Sequence, residues 1–301
     1  MIFASGISSL SRLSNSCGNT SMTANSYNLT DREFKEIRDL FFSLSGVLLA
    51  DSKRSLMAGR LAKILRELNF ETYQQYVEYV RVDPTGLEKQ RLVDTLTTNE
   101  TYFFREEGHF ELLRKELIPE IKGRNRPPVS VWSAACSTGP EPYSVAMELA
   151  NILGYSGWQV TGSDISQKTV KQAASGMYPL EMVERIPENY RKRYCLKGVR
   201  SQEGKFIIKT ELRQNCRFFT WNLMNRPAGF GPFDIIFLRN MLIYFNATEK
   251  ETIIRNIVSA LRPDGFLIVG HSEALNFAQS YLIKVRPTVY QPMETGFSKA
   301  G

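Results

Sequence analysis

Residues 129–147 read VSVWSAACSTGPEPYSVAM, and the change of rhythm within them decides the fold. Residues 129–132 are a short apolar strand, 133–140 a loop of small residues, and Glu141-Pro142 opens a helix running toward Leu153. Residues 158–162 supply the next strand and close a βαβ unit, which makes the two strands parallel. Helical sequence follows over 167–174. Residues 206–209 and 216–220 read as strands, the first of them in a small hairpin with its turn at 199–204. Residues 233–238 are apolar at nearly every position, as a central parallel strand covered on both faces requires. A helix over 247–261 ends at the turn Pro263-Asp264-Gly265, and 265–270 form a fifth strand. Residues 282–285 and 288–290, joined by Arg286-Pro287, make a final antiparallel pair. The economical assembly over 128–292 is an α/β doubly wound sheet finished by a terminal antiparallel hairpin.

Upstream the period becomes helical. Thr30 with Glu33 forms a capping-box pair, and Phe34, Ile37, Leu40, Phe41 and Leu44 recur at helical spacing. Asp51 or Ser52 caps a second helix with the stripe Met57, Leu61, Ile64, Leu65 and Leu68. Tyr73, Tyr76, Val77 and Val80 mark a third. Asp83-Pro84 starts a fourth through Leu87, Leu92 and Leu96, with proline at a first helical position. Residues 27–98 are therefore an all-helical domain. Residues 99–127 join it to the sheet and carry an amphipathic helix over 109–122, followed by a basic, proline-bearing linker. Residues 1–26, rich in Ser, Asn, Thr and Gly, read as a mobile tail, and 293–301 as a second.

The 301 residues are 43% hydrophobic, an ordinary globular composition long enough for two domains. No apolar stretch reaches the roughly 20 residues that span a bilayer, and the N-terminus has no apolar secretion core. A cytoplasmic protein is expected. Cys17, Cys136, Cys195 and Cys216 lie far apart with no CxxC pair, so reduced thiols are expected and neither zinc nor a disulfide framework. The two histidines, His109 and His271, leave little for a His-based hydrolase or a metal centre; no metal is expected, and His271 has no metal partner near it in sequence. A net charge of +7 points to an acidic partner.

In a doubly wound sheet, ligands sit beyond the carboxyl ends of the strands at the switch point. The loop 133–140 lets backbone approach a ligand closely but lacks GxGxxG, which argues against a pyrophosphate cradle. Asp164, ending the second strand, either accepts two ribose hydroxyls or caps the next helix through Ser166. Glu141 is either a helix N-cap or the partner of a cationic part of a cofactor. The segment 97–106, TTNETYFFRE, stands where it can close over whatever the loop binds. Together with Asn222-Leu223, Arg239-Asn240 and Tyr244, these residues describe a nucleotide-cofactor site without a nicotinamide or phosphate fingerprint.

TTNETYFFRE, SAACSTGPEPYS, GSDIS, NL after TW, FDIIFLRNMLIYF and PDGFLIVGHSE, in this order, resemble the bacterial chemotaxis receptor methyltransferases of the CheR family. The resemblance covers about 29–290 and leaves only the tails outside. It implies a protein-glutamate O-methyltransferase that uses S-adenosyl-L-methionine and releases S-adenosyl-L-homocysteine. Its products would be glutamyl methyl esters on the cytoplasmic helices of chemoreceptors, for chemotactic adaptation. It also implies a Rossmann-like methyltransferase domain, an N-terminal helical domain, and a small β-subdomain inserted near 196–212 that in some members captures a receptor C-terminal peptide.

Residue by residue, the resemblance places Asn99, Thr101 and Arg105 over the cofactor, Glu141 and Asp164 in the first two strand-end loops, and Asn222 with Leu223 beside the adenine. Arg239 and Asn240 end the fourth core strand, and Tyr244 lies near the transferable methyl group, so Arg105 and Tyr244 are the catalytic candidates. Arg105 or Arg239 would hold a carboxylate. Lys53, Arg54, Arg60, Lys63 and Arg66, on the second helix, are expected to bind the acidic receptor helix. A monomer recruited to receptor arrays, with no nucleic-acid partner and no membrane insertion, completes the expectation. Two competing readings are a cofactor-sensing binding module and a nucleic-acid methyltransferase. The second lacks an Asn/Asp-Pro-Pro-Tyr/Phe sequence after the fourth strand, where this chain has Leu238-Arg239-Asn240-Met241.

Overall fold

The computed structural model describes residues 27–126 and 128–293, so the expected tails lie outside the described residues except for Met293. Helix α1, Asp31–Ser45, begins at the capping box read from sequence: the Glu33 amide donates to Thr30 Oγ1 at 3.3 Å and the Thr30 amide to Glu33 Oε2 at 2.9 Å. It stops at Gly46, whose φ of 75° is left-handed. A 3₁₀ turn, Asp51–Lys53, leads into α2, Arg54–Leu68, and a second capping box at Thr72 and Gln75 starts α3, Tyr73–Val82. Helix α4, Leu87–Leu96, begins later than the sequence suggests. Asp83 accepts the Thr85 and Glu88 amides and Gly86 turns left-handed, so Asp83-Pro84 forms a turn before the helix rather than its first residues.

Residues 97–107 cross to the second domain as a strap without regular secondary structure, turning at 103–107, where Phe104 and Glu106 have left-handed φ. The helix expected over 109–122 is divided into α5, Gly108–Leu112, a π turn at Leu113–Leu117, and α6, Ile118–Gly123. Pro119 has no N–H to give Lys115, and the Ile118 amide reaches back five residues to the Leu113 carbonyl.

Seven strands then form one sheet: β1 Val129–Ala134, β2 Trp158–Asp164, β6 Cys216–Thr220, β7 Phe233–Leu238, β8 Leu261–Val269, β9 Leu282–Arg286 and β10 Val289–Pro292. Their order is β6-β2-β1-β7-β8-β10-β9, with β10 antiparallel to both neighbours and the other pairs parallel. Helices α7, Pro140–Leu153, α8, Gln167–Ser175, and α11, Ala247–Ser259, connect the strands. Strand β8 begins at Leu261, ahead of the expected Gly265. Pro263-Asp264-Gly265 is an irregularity inside the strand, where Phe233 pairs with Leu261 but Ile235 with Phe266.

Alternation along β7 sends side chains to two cores. Ile236 and Leu238 pack with α11 and run without a break into the core of the helical domain, while Ile235 and Phe237 pack with α7 and the α5–α6 segment. The helical domain and one face of the sheet therefore share one buried interior.

The small inserted sheet is larger than the hairpin expected at 196–212. Strands β4, Cys195–Lys197, and β5, Lys205–Ile208, form that hairpin, but β3, Met177–Pro179, pairs on the other side of β5. The 3₁₀ turn Leu180–Arg185 and α9, Glu188–Tyr194, lie between. A three-residue strand with no alternation to read is what made β3 invisible in the sequence.

Candidate active site

Strand β1 lies at the switch point, with the chain moving outward to β2 and β6 on one side and to β7 and β8 on the other. A single pocket opens at the carboxyl ends of these strands, roofed by the strap. Asn99, Thr101, Arg105, Glu141, Asp164, Asn222, Leu223, Arg239, Asn240 and Tyr244 all line it, so the structure brings together every cofactor and catalytic candidate named from sequence.

Two carboxylates stand at its floor. Asp164, at the end of β2, is buried; its oxygens accept the Ser137 amide at 2.8 Å and the Ser166 amide at 3.0 Å. Burial pushes its pKa up, and these two amides offset part of that effect. Ser166 itself caps α8 by accepting the Thr169 amide, so Asp164 both steadies that cap and faces the pocket. Glu141 is not a helix cap, a position taken by Gly139 with φ 95°. Instead it accepts Ser133 Oγ at 2.7 Å and pairs with Arg239 at 2.8 Å.

Arg239 is almost wholly buried, and both of its terminal nitrogens are engaged, while its Nε has no partner among the described residues. Besides Glu141 it meets Glu106 at 3.2 Å and donates to the Arg105 carbonyl, with its guanidinium over the Phe110 ring. Arg105 differs: its guanidinium donates to the Glu100 carbonyl at 3.0 Å, and no carboxylate pairs with it among the described residues. Of the two arginines considered for holding a carboxylate, only Arg105 has its charge free.

Asn240 adopts a left-handed φ of 55°, uncommon for a non-glycine residue. Its amide donates to Glu273 Oε2 and its side chain to Glu106 Oε1, at 2.8 and 3.0 Å. Asn222 bridges the domains: its Nδ2 donates to the Leu44 carbonyl at 3.2 Å and its Oδ1 accepts the Met224 amide at 2.9 Å. The Tyr244 carbonyl likewise accepts the Leu48 amide at 3.0 Å.

Glu106 and Glu273 are the important residues that sequence reasoning passed over. Buried Glu273 accepts four amides, those of Asn240, Met241, Leu242 and Gly270, and so shapes the turn after β7. Glu106 is subject to burial that raises its pKa, yet Asn240, Arg239 and His109 together bring it below the ordinary carboxylate value. Both stood within the quoted motifs, TTNETYFFRE and GHSE; a glutamate in a loop reads as a solvated charge until the fold supplies its donors.

His271 is not isolated, as its sequence neighbours implied. Its ring stacks on His109 with centroids 4.7 Å apart, and both histidines approach Glu106. Arg239 already neutralises the shared Glu106 oxygen, which disfavours a metal cation beside it.

Among the charges expected to bind substrate, Arg60 is committed elsewhere. Its guanidinium caps α4 by donating to the Thr95, Leu96 and Thr97 carbonyls at 3.0–3.1 Å. Arg54 pairs with Asp31 and the Leu29 carbonyl. Lys53, Lys63 and Arg66 are exposed and make no ion pair among the described residues.

A parallel sheet closed by an antiparallel terminal hairpin, with a pocket at its switch point and no glycine-rich phosphate loop, defines a Rossmann-like methyltransferase. Residues 99–290 match the CheR methyltransferase SAM binding domain, and residues 32–97 its all-alpha domain. The chain belongs to the CheR methyltransferase family. It is 38% identical over 248 residues to the chemotaxis protein methyltransferase of Salmonella typhimurium strain LT2, spanning 81% of this chain and 84% of that one. With the Escherichia coli K12 protein of the same name it shares 36% over 280 residues, 91% and 96% of the two chains. The Pseudomonas aeruginosa chemotaxis protein methyltransferase 2 is 37% identical over 269 residues, 88% and 95%.

The cofactor is S-adenosylmethionine, and the pocket suits it. Ser137 Oγ and Trp221 Nε1 are buried beside the pocket with no partner among the described residues, and two carboxylates favour a ligand with cationic and hydroxyl groups.

Proposed function

We propose that this protein methylates glutamate side chains on the cytoplasmic helices of chemoreceptors, and that Arg105 receives the incoming carboxylate. The observation that carries this reading is the Arg105 guanidinium, without a carboxylate partner among the described residues, at a pocket whose other arginine is paired with two carboxylates.

S-adenosylmethionine supplies a methyl group made electrophilic by its sulfonium. A glutamate, with an unperturbed pKa of ~4.3, is already ionised at neutral pH and needs no base. Accordingly, neither histidine lines the pocket. Arg105 orients the carboxylate for in-line approach, and the strap limits water around the meeting of opposite charges. Tyr244 presents its ring near the reacting centre, where an aromatic face favours a cation. Asp164 accepts from the ribose, Glu141 faces the cationic amino group of the methionyl part, and the 222–223 backbone borders the adenine.

Lys53, Lys63 and Arg66 offer a free basic face to an acidic receptor helix. The outer edge of β4 is unpaired, with Leu196 about half exposed, and suits addition of a peptide strand. The loop 198–204 carries Val199, Arg200 and Ser201 and departs from the glycine-richer loop of members that tether a receptor C-terminus. If receptor C-terminal peptides fail to bind, the small sheet has another role and methylation should survive its disruption. The reaction itself is tested by incubating methyl-labelled cofactor with chemoreceptor cytoplasmic fragments. Label released as methanol in mild base is expected; label stable to base, or none transferred, would refute the proposal.

A further inference from the structure

Tyr102 sits at the rim of the pocket with 36% of its surface exposed, and two guanidinium groups lie on its ring. Arg105, from the strap, is 5.8 Å from the ring centroid, and Arg185, from the 3₁₀ turn of the small inserted sheet, is 5.1 Å away. Arg185 is exposed and has neither a hydrogen bond nor an ion pair among the described residues, although Glu181 and Glu184 lie on the same turn. Arg114, Arg124, Arg239 and Arg286, by contrast, are each paired with a carboxylate.

We propose that Arg185, held on the same Tyr102 ring as Arg105, is a second carboxylate subsite that binds an acidic residue of the substrate helix one turn from the glutamate being methylated. The proposal rests on the glutamate-methylation reading. On an α-helix, residues three or four positions apart have Cβ atoms about 5–6 Å apart on one face. A target glutamate placed at Arg105 therefore brings an acid one turn away to the neighbouring cation. Arginine suits this place better than lysine: its planar guanidinium stacks on the ring while its edge stays free to take a carboxylate. The subsite also gives the inserted sheet a part in choosing which glutamate enters, independent of any capture of a distant peptide.

The test uses the full chain, saturating S-adenosylmethionine and a chemoreceptor cytoplasmic fragment. Arg185→Glu should raise KM for the fragment about five- to tenfold, with kcat and the cofactor dissociation constant nearly unchanged. Arg185→Lys should recover part of the loss. Lys284→Glu, on the far edge strand, makes the same change in net charge and should leave KM alone. Neutralising the fragment's acid one turn from the target should weaken the wild type but not Arg185→Ala, the coupling expected of a direct pair. If Arg185→Glu matches the wild type, or falls only as far as Lys284→Glu, the subsite is refuted while glutamate methylation stands. If the wild type esterifies no receptor glutamate, the underlying reading fails instead.

Discussion

Asp164 takes two backbone amides and faces the pocket with the same carboxylate, so its removal has two consequences. Asp164→Ala should weaken cofactor binding by roughly 1.5–3 kcal/mol, the range for hydrogen bonds to a charged group, and lower the melting temperature as Ser137 and Ser166 lose their acceptor. Wild-type affinity in calorimetry would remove Asp164 from the cofactor site. Glu273→Ala strands four amides around the turn after β7 and should cost about 3 kcal/mol or more, measured by urea unfolding; a loss below about 1 kcal/mol would mean that water replaces the carboxylate. His109 makes a pH signature. Burial, then the Arg239 charge, push its pKa down to about 4, so between pH 6.5 and pH 4 the unfolded chain binds a proton that the folded chain refuses. Stability should be flat above pH 6.5 and fall by up to about 3 kcal/mol as pH drops to 4. His109→Gln should lose that part of the slope; an unchanged slope would assign it to other groups.

At the scale of elements, the contrast between Arg60 and Lys63 is the most informative. Both lie on α2 and look alike in sequence, yet Arg60 closes the C-terminus of α4 where the strap begins, while Lys63 points to solvent. Lys63→Glu should reduce kcat/KM for receptor and leave cofactor affinity intact, with the wild type losing more activity than the variant as salt shortens a screening length of about 8 Å. Arg60→Ala should also weaken cofactor binding, because the strap loses its anchor. Equal behaviour of the two variants in cofactor titrations would overturn this division. Helical spacing, the Thr30–Glu33 capping box and the apolar run of β7 were legible because local patterns encode them, whereas the Thr72–Gln75 box was not read. The late start of α4, the π turn before Pro119 and the irregular start of β8 were not, since each depends on where one proline or aspartate finds its partners in space.

For the whole molecule, the motifs named the pocket's lining but not its wiring. Every cofactor and catalytic candidate borders one pocket because strand-end loops of a doubly wound sheet must converge there. That Arg239 is engaged while Arg105 is free, or that Asn222 ties α1 to the sheet, follows only from the joint interior of the helical domain and the sheet. That continuity makes the strap a roof between two packed bodies. The most direct measurement of the central claim is tandem mass spectrometry on chemoreceptor fragments after incubation with enzyme and S-adenosylmethionine. The account predicts methyl groups on glutamate side chains alone, lost on mild base treatment and absent with Arg105→Ala. Base-stable methyl groups on lysine, arginine or asparagine, or glutamyl esters formed undiminished by Arg105→Ala, would contradict it.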